Sequence, residues 1–333
     1  MELSNDTSYA LRSPAPEADV VLHCGDLTGD ECTIPKLRKA FALLSAIPAE
    51  LRLVIAGNHD TLLDKDFHTL HGGDAEAHTQ ARRLGEEYGV TYLEEGTHTF
   101  TLKSGATFKV YASPYTPSQY GDQYNLHAFQ YASNQDRYNP RDTKGAPTYA
   151  INTATETSIV PNDVDIVMTH GPPKYILDRP SDGTSAGCEH LRRAICRTKP
   201  LLHCFGHIHA SYGAQRVEWR IGHTNSELED LGIEADLEHA DEMLALPAVE
   251  PEGRMKNSNR RRGFVRVRGE TERALVRGRQ TLLVNAAIEV GDGEPRNAPW
   301  RVDLELPVRT VLGKRKAGVG AEEGLREALK LRR

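Results

Sequence analysis

Four short stretches of this chain combine carboxylate, carboxamide and imidazole groups in a way that suits a divalent metal. They are Gly25-Asp26, Gly57-Asn58-His59-Asp60, His170-Gly171 and Gly206-His207-Ile208-His209. Asp26 offers two oxygens, enough to touch two cations. Asn58 offers a neutral carbonyl oxygen, and His170, His207 and His209 offer ring nitrogens. A mixed set of this kind suits Mn, Fe or Zn rather than Mg or Ca, which prefer all-oxygen shells. Two such ions about 3.5–4 Å apart acidify a shared water to hydroxide and clamp phosphate oxygens during in-line attack. Two ions are expected, with a single occupied site as the alternative. His59 is suited to protonating a leaving oxygen or stabilising charge there. Asp60 either accepts the other His59 N–H or holds the loop.

Each stretch follows an apolar run, at 19–24, 51–56, 164–169 and 201–205. Such runs read as buried strands. The polar groups then fall at strand C-terminal ends, where open α/β sheets bind ligands. Glycines before Asp26, Asn58 and His207 permit tight turns there, and the spacing of His207 and His209 puts both on one side of an extended segment. Between these strands the pattern predicts helices at 35–47, opened by Pro35, at 76–88, and at 185–198, stopped by Pro200. Short strands are expected at 90–93, 98–103 and 106–112. Residues 113–161, rich in Tyr, Asn, Gln and Pro, read as a partly helical excursion over the active edge. Core strands return at 281–286 and 300–306.

The net charge of −6 over 333 residues gives no general pull toward nucleic acid or an anionic membrane. No apolar run approaches the ~20 residues that cross a bilayer. The start, Met1-Glu2-Leu3-Ser4-Asn5-Asp6, lacks the marks of a signal peptide. The five cysteines are odd in number, with Cys24 and Cys204 inside core strands, which is no disulfide framework. The expected location is therefore intracellular, in the cytoplasm, with neither membrane nor nucleic acid as partner. One domain is expected over 1–306, followed by a basic tail at 307–333. Glu227 to Glu252 carries acids and no Lys or Arg, and Arg254 to Arg279 is strongly basic. That juxtaposition reads as a flexible insertion at 227–280.

Taken in order, the stretches resemble the calcineurin-like metallophosphoesterase superfamily, whose motifs run D-x-H, G-D-x-x, G-N-H-D/E, a lone His before Gly, and G-H-x-H. The last four are present, and the resemblance extends from residue 19 to about 306. It narrows to the small eukaryotic metallophosphoesterase-domain-containing branch at Tyr111-Ala112-Ser113-Pro114-Tyr115-Thr116-Pro117, Gly171-Pro172-Pro173, Gly187-Cys188 and Asn285-Ala286. The resemblance implies an α/β fold, a four-layer αββα sandwich of two mixed sheets. It also implies hydrolysis of a small phosphodiester or phosphomonoester, a nucleotide among the candidates, without a covalent intermediate. Asp26 would bridge the metals; Asn58, His170 and His207 would complete one site, with His209 on the other. Protein Ser/Thr phosphatases continue the second motif as G-D-x-V-D-R-G, and purple acid phosphatases place Tyr where this chain has Gly29. Neither pattern is met.

The first motif departs from the pattern. Asp6-Thr7-Ser8 stands at about its spacing, with Asp6 a candidate ligand, but Ser8 occupies the histidine position. A hydroxyl is a poor substitute for imidazole on these metals. The alternative reading is therefore a catalytically weakened or inactive member that binds one metal or a nucleotide and acts as a regulatory protein. A literal D-x-H at Asp66-Phe67-His68 follows the Asn58 turn instead of ending a first strand. Of the remaining residues, His23 and His203 read as core; His98, His127, His190, His223 and His239 read as surface. Asn285 either orients a ligand or caps a turn, with the turn cap preferred, and Arg192 and Arg193 either meet phosphate or form a solvated helix face, with the solvated face preferred. Tyr115 and Tyr120 either stack on a substrate base or cover the cleft.

Overall fold

The computed structural model describes residues 17–29, 31–118, 127–219, 243–248, 265–266, 275–289 and 297–307. Asp6, Ser8, Tyr120, His223, His239 and the tail from 308 onward lie outside the described residues.

Local chemistry sets the helices. α1 (Ile34–Ser45) opens at Thr33, whose side chain accepts the Lys36 N–H, with Pro35 in the first turn. Its Leu37, Ala40, Phe41 and Leu44 are buried, the one-sided spacing of an amphipathic helix. α2 (Lys65–Leu70) and α3 (Ala75–Glu87) are capped in the same way by Asp64 and Asp74. α4 (Glu189–Thr198) is capped by the Cys188 side chain and ends at Lys199, in the left-handed region, immediately before Pro200.

The strands form two main sheets. β1 (Ala18–Cys24), β2 (Ala49–Ile55) and β3 (Thr91–Tyr92) run parallel in that order. The larger sheet is mixed. Its members are β4 (Gly96–Thr101), β5 (Thr107–Ser113), β10 (Ile166–Thr169), β11 (Leu202–Phe205), β12 (Gly213–Trp219), β13 (Met243–Ala248) and β15 (Gln280–Asn285). Their order is β13-β12-β15-β11-β10-β5-β4, with β5, β10, β11 and β15 parallel and β4, β12 and β13 antiparallel to their neighbours. Two-residue pairings account for β6 (Thr116–Pro117) with β7 (Gln130–Tyr131), β8 (Gln135–Asp136) with β9 (Ile151–Asn152), and β14 (Val265–Arg266) with β16 (Trp300–Arg301).

Three apolar clusters show how these elements stack. Val21 and Val54 pack with Phe41 and Leu44 of α1 and with Ala81 and Leu84 of α3. Leu53 and Ile55 pack with Val110, Ile166, Met168, Leu202 and Val284 of the larger sheet. Tyr111, Val167, Phe205 and Leu283 face the other way, onto Leu191, Ala194 and Ile195 of α4. Successive residues of one strand alternate faces, so Ile166, Val167 and Met168 fall on opposite sides and each sheet is covered on both. Helix, sheet, sheet and helix therefore form four layers, with both sheets buried as continuous apolar runs require.

Several expectations need correction. The stretch 227–280 is not wholly an insertion: Met243–Ala248 is the edge strand of the larger sheet, paired with β12. The excursion 113–161 holds no helix among its described residues, only turns and the two-residue pairings. The expected strand 300–306 pairs only at Trp300–Arg301, while Val302, Leu304 and Leu306 pack against the inter-sheet cluster without pairing. Arg192 and Arg193 do not lie on a solvated face. Arg192 is buried, and Arg193 donates to Asp136 Oδ2 at 2.9 Å in an interior ion pair. His190 is buried as well. Among the described residues, no helix is long and apolar enough to cross a membrane.

Candidate metal centre

Four strand ends bring the polar stretches together. β1 ends at Cys24 and the chain turns through Gly25 (φ +96°) and Asp26 (φ +53°). β2 ends at Ile55 and turns through Gly57-Asn58. The two turns touch: a β-carbon on Gly25 would lie 2.6 Å from the Ala56 carbonyl oxygen, and one on Gly57 would collide with the Asp26 backbone and carboxylate. Only glycine permits this approach. From the other sheet, β10 delivers His170 and β11 delivers His207. Their loops are tied by the Gly206 N–H, which donates to the His170 carbonyl at 2.9 Å.

Asp26 and His207 (φ +66°) both hold a left-handed backbone conformation, which costs a non-glycine residue about 1 kcal/mol or more and concentrates at functional sites. Asp60 holds the Asp26 turn. Its buried carboxylate accepts the N–H groups of Gly57 (2.8 Å), Leu27 (3.1 Å) and Thr28 (2.9 Å) and the Thr28 hydroxyl (3.0 Å). Of the two roles open to Asp60 in the sequence, the geometry is that of the loop anchor. Burial and the Asp26 charge push its carboxyl up to about 6, against the pull of these donors. Asn285 likewise braces a loop, donating to the carbonyls of Ile208 (2.9 Å) and Leu177 (3.1 Å).

The donor atoms of Asp26, His170 and His207 lie within 4.8 Å of one another. Asn58 Oδ1 sits 2.7 Å from His170 Nε2 and 3.0 Å from His207 Nδ1, and Asp26 Oδ2 is 3.3 Å from His170 Nε2. His170 Nδ1 lies 2.8 Å from the Cys24 carbonyl oxygen. A carbonyl only accepts, so in the neutral ring the proton belongs on Nδ1 and Nε2 presents a lone pair. The His170 Nε2 lone pair then faces the oxygens of Asn58 and Asp26 with no donor among these three atoms. Such an arrangement is favourable only around a cation, either a proton on Nε2 or a metal ion. The set of two imidazoles, a carboxamide and a carboxylate fits a borderline divalent metal, and the Cys24 carbonyl supplies the outer hydrogen bond typical of a ligating histidine. Burial alone would raise the Asp26 pKa. The charge and hydrogen bond of His170, helped by His59 and His207, outweigh it and hold the carboxyl well below its usual range. Burial and the neighbouring His170 lower His207 to about 3, which keeps its ring neutral.

The other expected residues stand around this group. His59 donates its backbone N–H to Asp26 Oδ1 at 3.1 Å, and its half-buried ring meets the edge of His127 at 5.1 Å. His209 begins a 3₁₀ turn with Nδ1 3.8 Å from Glu289 Oε1, outside the three-residue group. Asp66 and His68 belong to α2, where the His68 ring contacts the Asp74 carbonyl. Tyr115 carries the Arg137 guanidinium on its face at 3.6 Å. His23 and His203 are fully buried. The sequence reading missed His127. The Ala128 N–H donates to the Asn58 carbonyl at 3.0 Å and the Phe129 N–H to Asp64 at 2.7 Å, pinning the returning excursion beside His59. No motif links residues so far apart along the chain, so no sequence signal marked this contact.

Residues 5–211 match the sequence profile of the family described as calcineurin-like phosphoesterase. Metallophosphoesterase domain-containing protein 1 of Homo sapiens is 32% identical over 206 residues, 60% of this chain and 56% of that protein. The UPF0046 protein K07C11.7 of Caenorhabditis elegans is 30% identical over 216 residues, 63% of each chain. A protein of Emericella nidulans named probable rhamnogalacturonate lyase C is 36% identical over 207 residues, 61% of this chain but 16% of its own length. The chain thus matches less than two thirds of the human and Caenorhabditis elegans relatives and a small part of the fungal one.

Proposed function

Because the chain belongs to the calcineurin-like phosphoesterase family, we propose that it is a metal-dependent phosphoesterase acting on a small phosphodiester or phosphomonoester. The observation that carries this reading is the convergence of Asp26, Asn58, His170 and His207, with the His170 Nε2 lone pair facing the Asn58 and Asp26 oxygens. These residues would hold the ion, and a divalent metal there supplies Lewis acidity toward a phosphate oxygen and toward water. The chain's own groups do the rest. The Cys24 carbonyl fixes the proton of His170 on Nδ1. Asp60 holds the turn that aims Asp26. The ring of His59, next to Asn58 and half-exposed, would give a proton to the departing oxygen. A nucleotide is among the substrates of the proposed class. An intracellular location belongs to the same reading, since the odd cysteine count and its spacing make no disulfide framework.

The test is elemental analysis of the purified protein together with Mn²⁺-dependent hydrolysis of chromogenic aryl phosphodiesters and monoesters. Turnover that needs metal and disappears in Asp26→Asn, with an unchanged far-UV spectrum, is the expected result. Full activity in that variant, or activity indifferent to chelator, would refute the site. Ser8, where the family motif has histidine, favours a second reading, a one-metal member with little or no turnover. One bound metal without hydrolysis is the outcome that reading requires.

A further inference from the structure

Directly behind the candidate metal centre, two thiols from different sheets touch. Cys24 is the last residue of β1 and Cys204 lies in β11, 180 positions away in the chain. Their Sγ atoms are 3.3 Å apart in the interior between the sheets. From this contact we propose that Cys24 and Cys204 form a redox modification site, closing to a reversible disulfide when the protein meets hydrogen peroxide.

The geometry favours the step. A disulfide needs an S–S distance of about 2.05 Å, so the two sulfurs must approach by little more than 1 Å, between strand ends that each lead into a glycine turn, at Gly25 and Gly206. The contact is with each other: the other three cysteines are Cys32, Cys188 and Cys196, and Cys188 is engaged elsewhere, by the Tyr131 hydroxyl at 3.2 Å. Cys24 is fully buried, whereas Cys204 keeps 5% exposure and lines a cavity of about 940 Å³ between the sheets. Of the two thiols, Cys204 is therefore the one that faces a cavity.

The chemistry balances with peroxide as the named oxidant. The Cys204 sulfur attacks one peroxide oxygen, the O–O bond breaks, and the departing hydroxide takes the Cys204 proton to leave as water. The product is a sulfenic acid. The Cys24 sulfur then attacks the Cys204 sulfur, the S–S bond forms and the S–O bond breaks. The second hydroxide takes the Cys24 proton and leaves as water. The two thiols lose two electrons, and one peroxide becomes two waters. Reduction by an external dithiol reverses the change through a mixed disulfide. Because the Cys24 carbonyl holds the His170 ring, the bridge forms one hydrogen bond from the candidate ligands. The modification does not depend on which reaction the centre performs.

The experiment treats the full-length protein with hydrogen peroxide, blocks remaining thiols with an alkylating agent under denaturing conditions, and maps peptides by mass spectrometry without reduction. The expected result is a linked peptide pair containing Cys24 and Cys204, lighter by two hydrogens than its parts and abolished by dithiothreitol. Cys24→Ser and Cys204→Ser should each remove it, and Cys32→Ser should not. The linked pair is read on the unsubstituted protein, so a variant that fails to fold leaves the test intact. Recovery of Cys24 and Cys204 fully alkylated after peroxide overturns the proposal. So does a disulfide that joins either one to Cys32, Cys188 or Cys196, or oxidation of Cys204 that stops at sulfinic acid.

Discussion

His170 presents Nδ1 to the carbonyl oxygen of Cys24 at 2.8 Å, across the gap between the two sheets. That bond fixes where the proton of the neutral ring resides, and so turns Nε2 into a metal-seeking lone pair. The backbone that leads to Asp26 thus serves as the hydrogen-bond partner of a candidate ligand from the opposite sheet.

Replacing His170 by Ala should therefore weaken Mn²⁺ or Zn²⁺ binding by about 100-fold or more, since loss of outer partners alone costs 10- to 100-fold. Isothermal titration calorimetry reads this directly. Unchanged affinity would remove His170 from the ligand set.

Asp60→Asn is expected to destabilise the fold by about 2–4 kcal/mol, because one oxygen of the pair becomes an NH₂ facing backbone N–H donors that then lack an acceptor. The donors are Gly57 and Leu27 on Oδ2, and Thr28 on Oδ1. Urea denaturation monitored by fluorescence gives the number, and a loss below about 0.5 kcal/mol would contradict the anchoring role.

His203 supplies a pH prediction. Burial lowers its pKa from 6.5 to about 3, so below pH 6.5 the unfolded chain takes up a proton that the folded chain refuses. The folded state keeps its full stability above pH 6.5 and loses it as pH falls toward 3, by up to about tenfold in the unfolding constant per pH unit. The ring donates from Nε2 to the Thr169 hydroxyl, which in turn donates to the Gly171 carbonyl. His203→Gln removes the titrating group, and the denaturation midpoint between pH 7.5 and 5 should then fall less steeply than in the parent. Parallel slopes would show that His203 titrates normally.

Ser8→His restores an imidazole at the position where the family motif has one. The expected outcome is a rise in bound metal per chain, measured by elemental analysis after dialysis. No rise would mean that Asp6-Thr7-Ser8 is not the counterpart of the first motif.

What the sequence determined by itself is the set of local patterns. The runs 51–56 and 201–205 read as buried strands because apolar residues dominate them, and Pro35, Pro200 and the glycines at 25, 57 and 206 mark where the chain changes course. Residue types alone fixed the donor chemistry of Asp26, Asn58, His170 and His207. Tertiary structure alone decided which groups face each other. Asp60 anchors the Asp26 turn because the β1 and β2 turns touch, which no spacing along the chain encodes. Arg192 and Arg193 look solvated by composition, yet the packing of α4 buries one and pairs the other with Asp136. Met243–Ala248 sits inside the acidic stretch Glu227 to Glu252 and still pairs with β12, because strand pairing is settled by the partner's open edge and not by the flanking composition. His127 meets His59 where the Ala128 and Phe129 N–H groups are held by the Asn58 carbonyl and Asp64. Periodicity and residue type act over a few positions, whereas contacts across the gap between two sheets depend on the whole chain closing on itself.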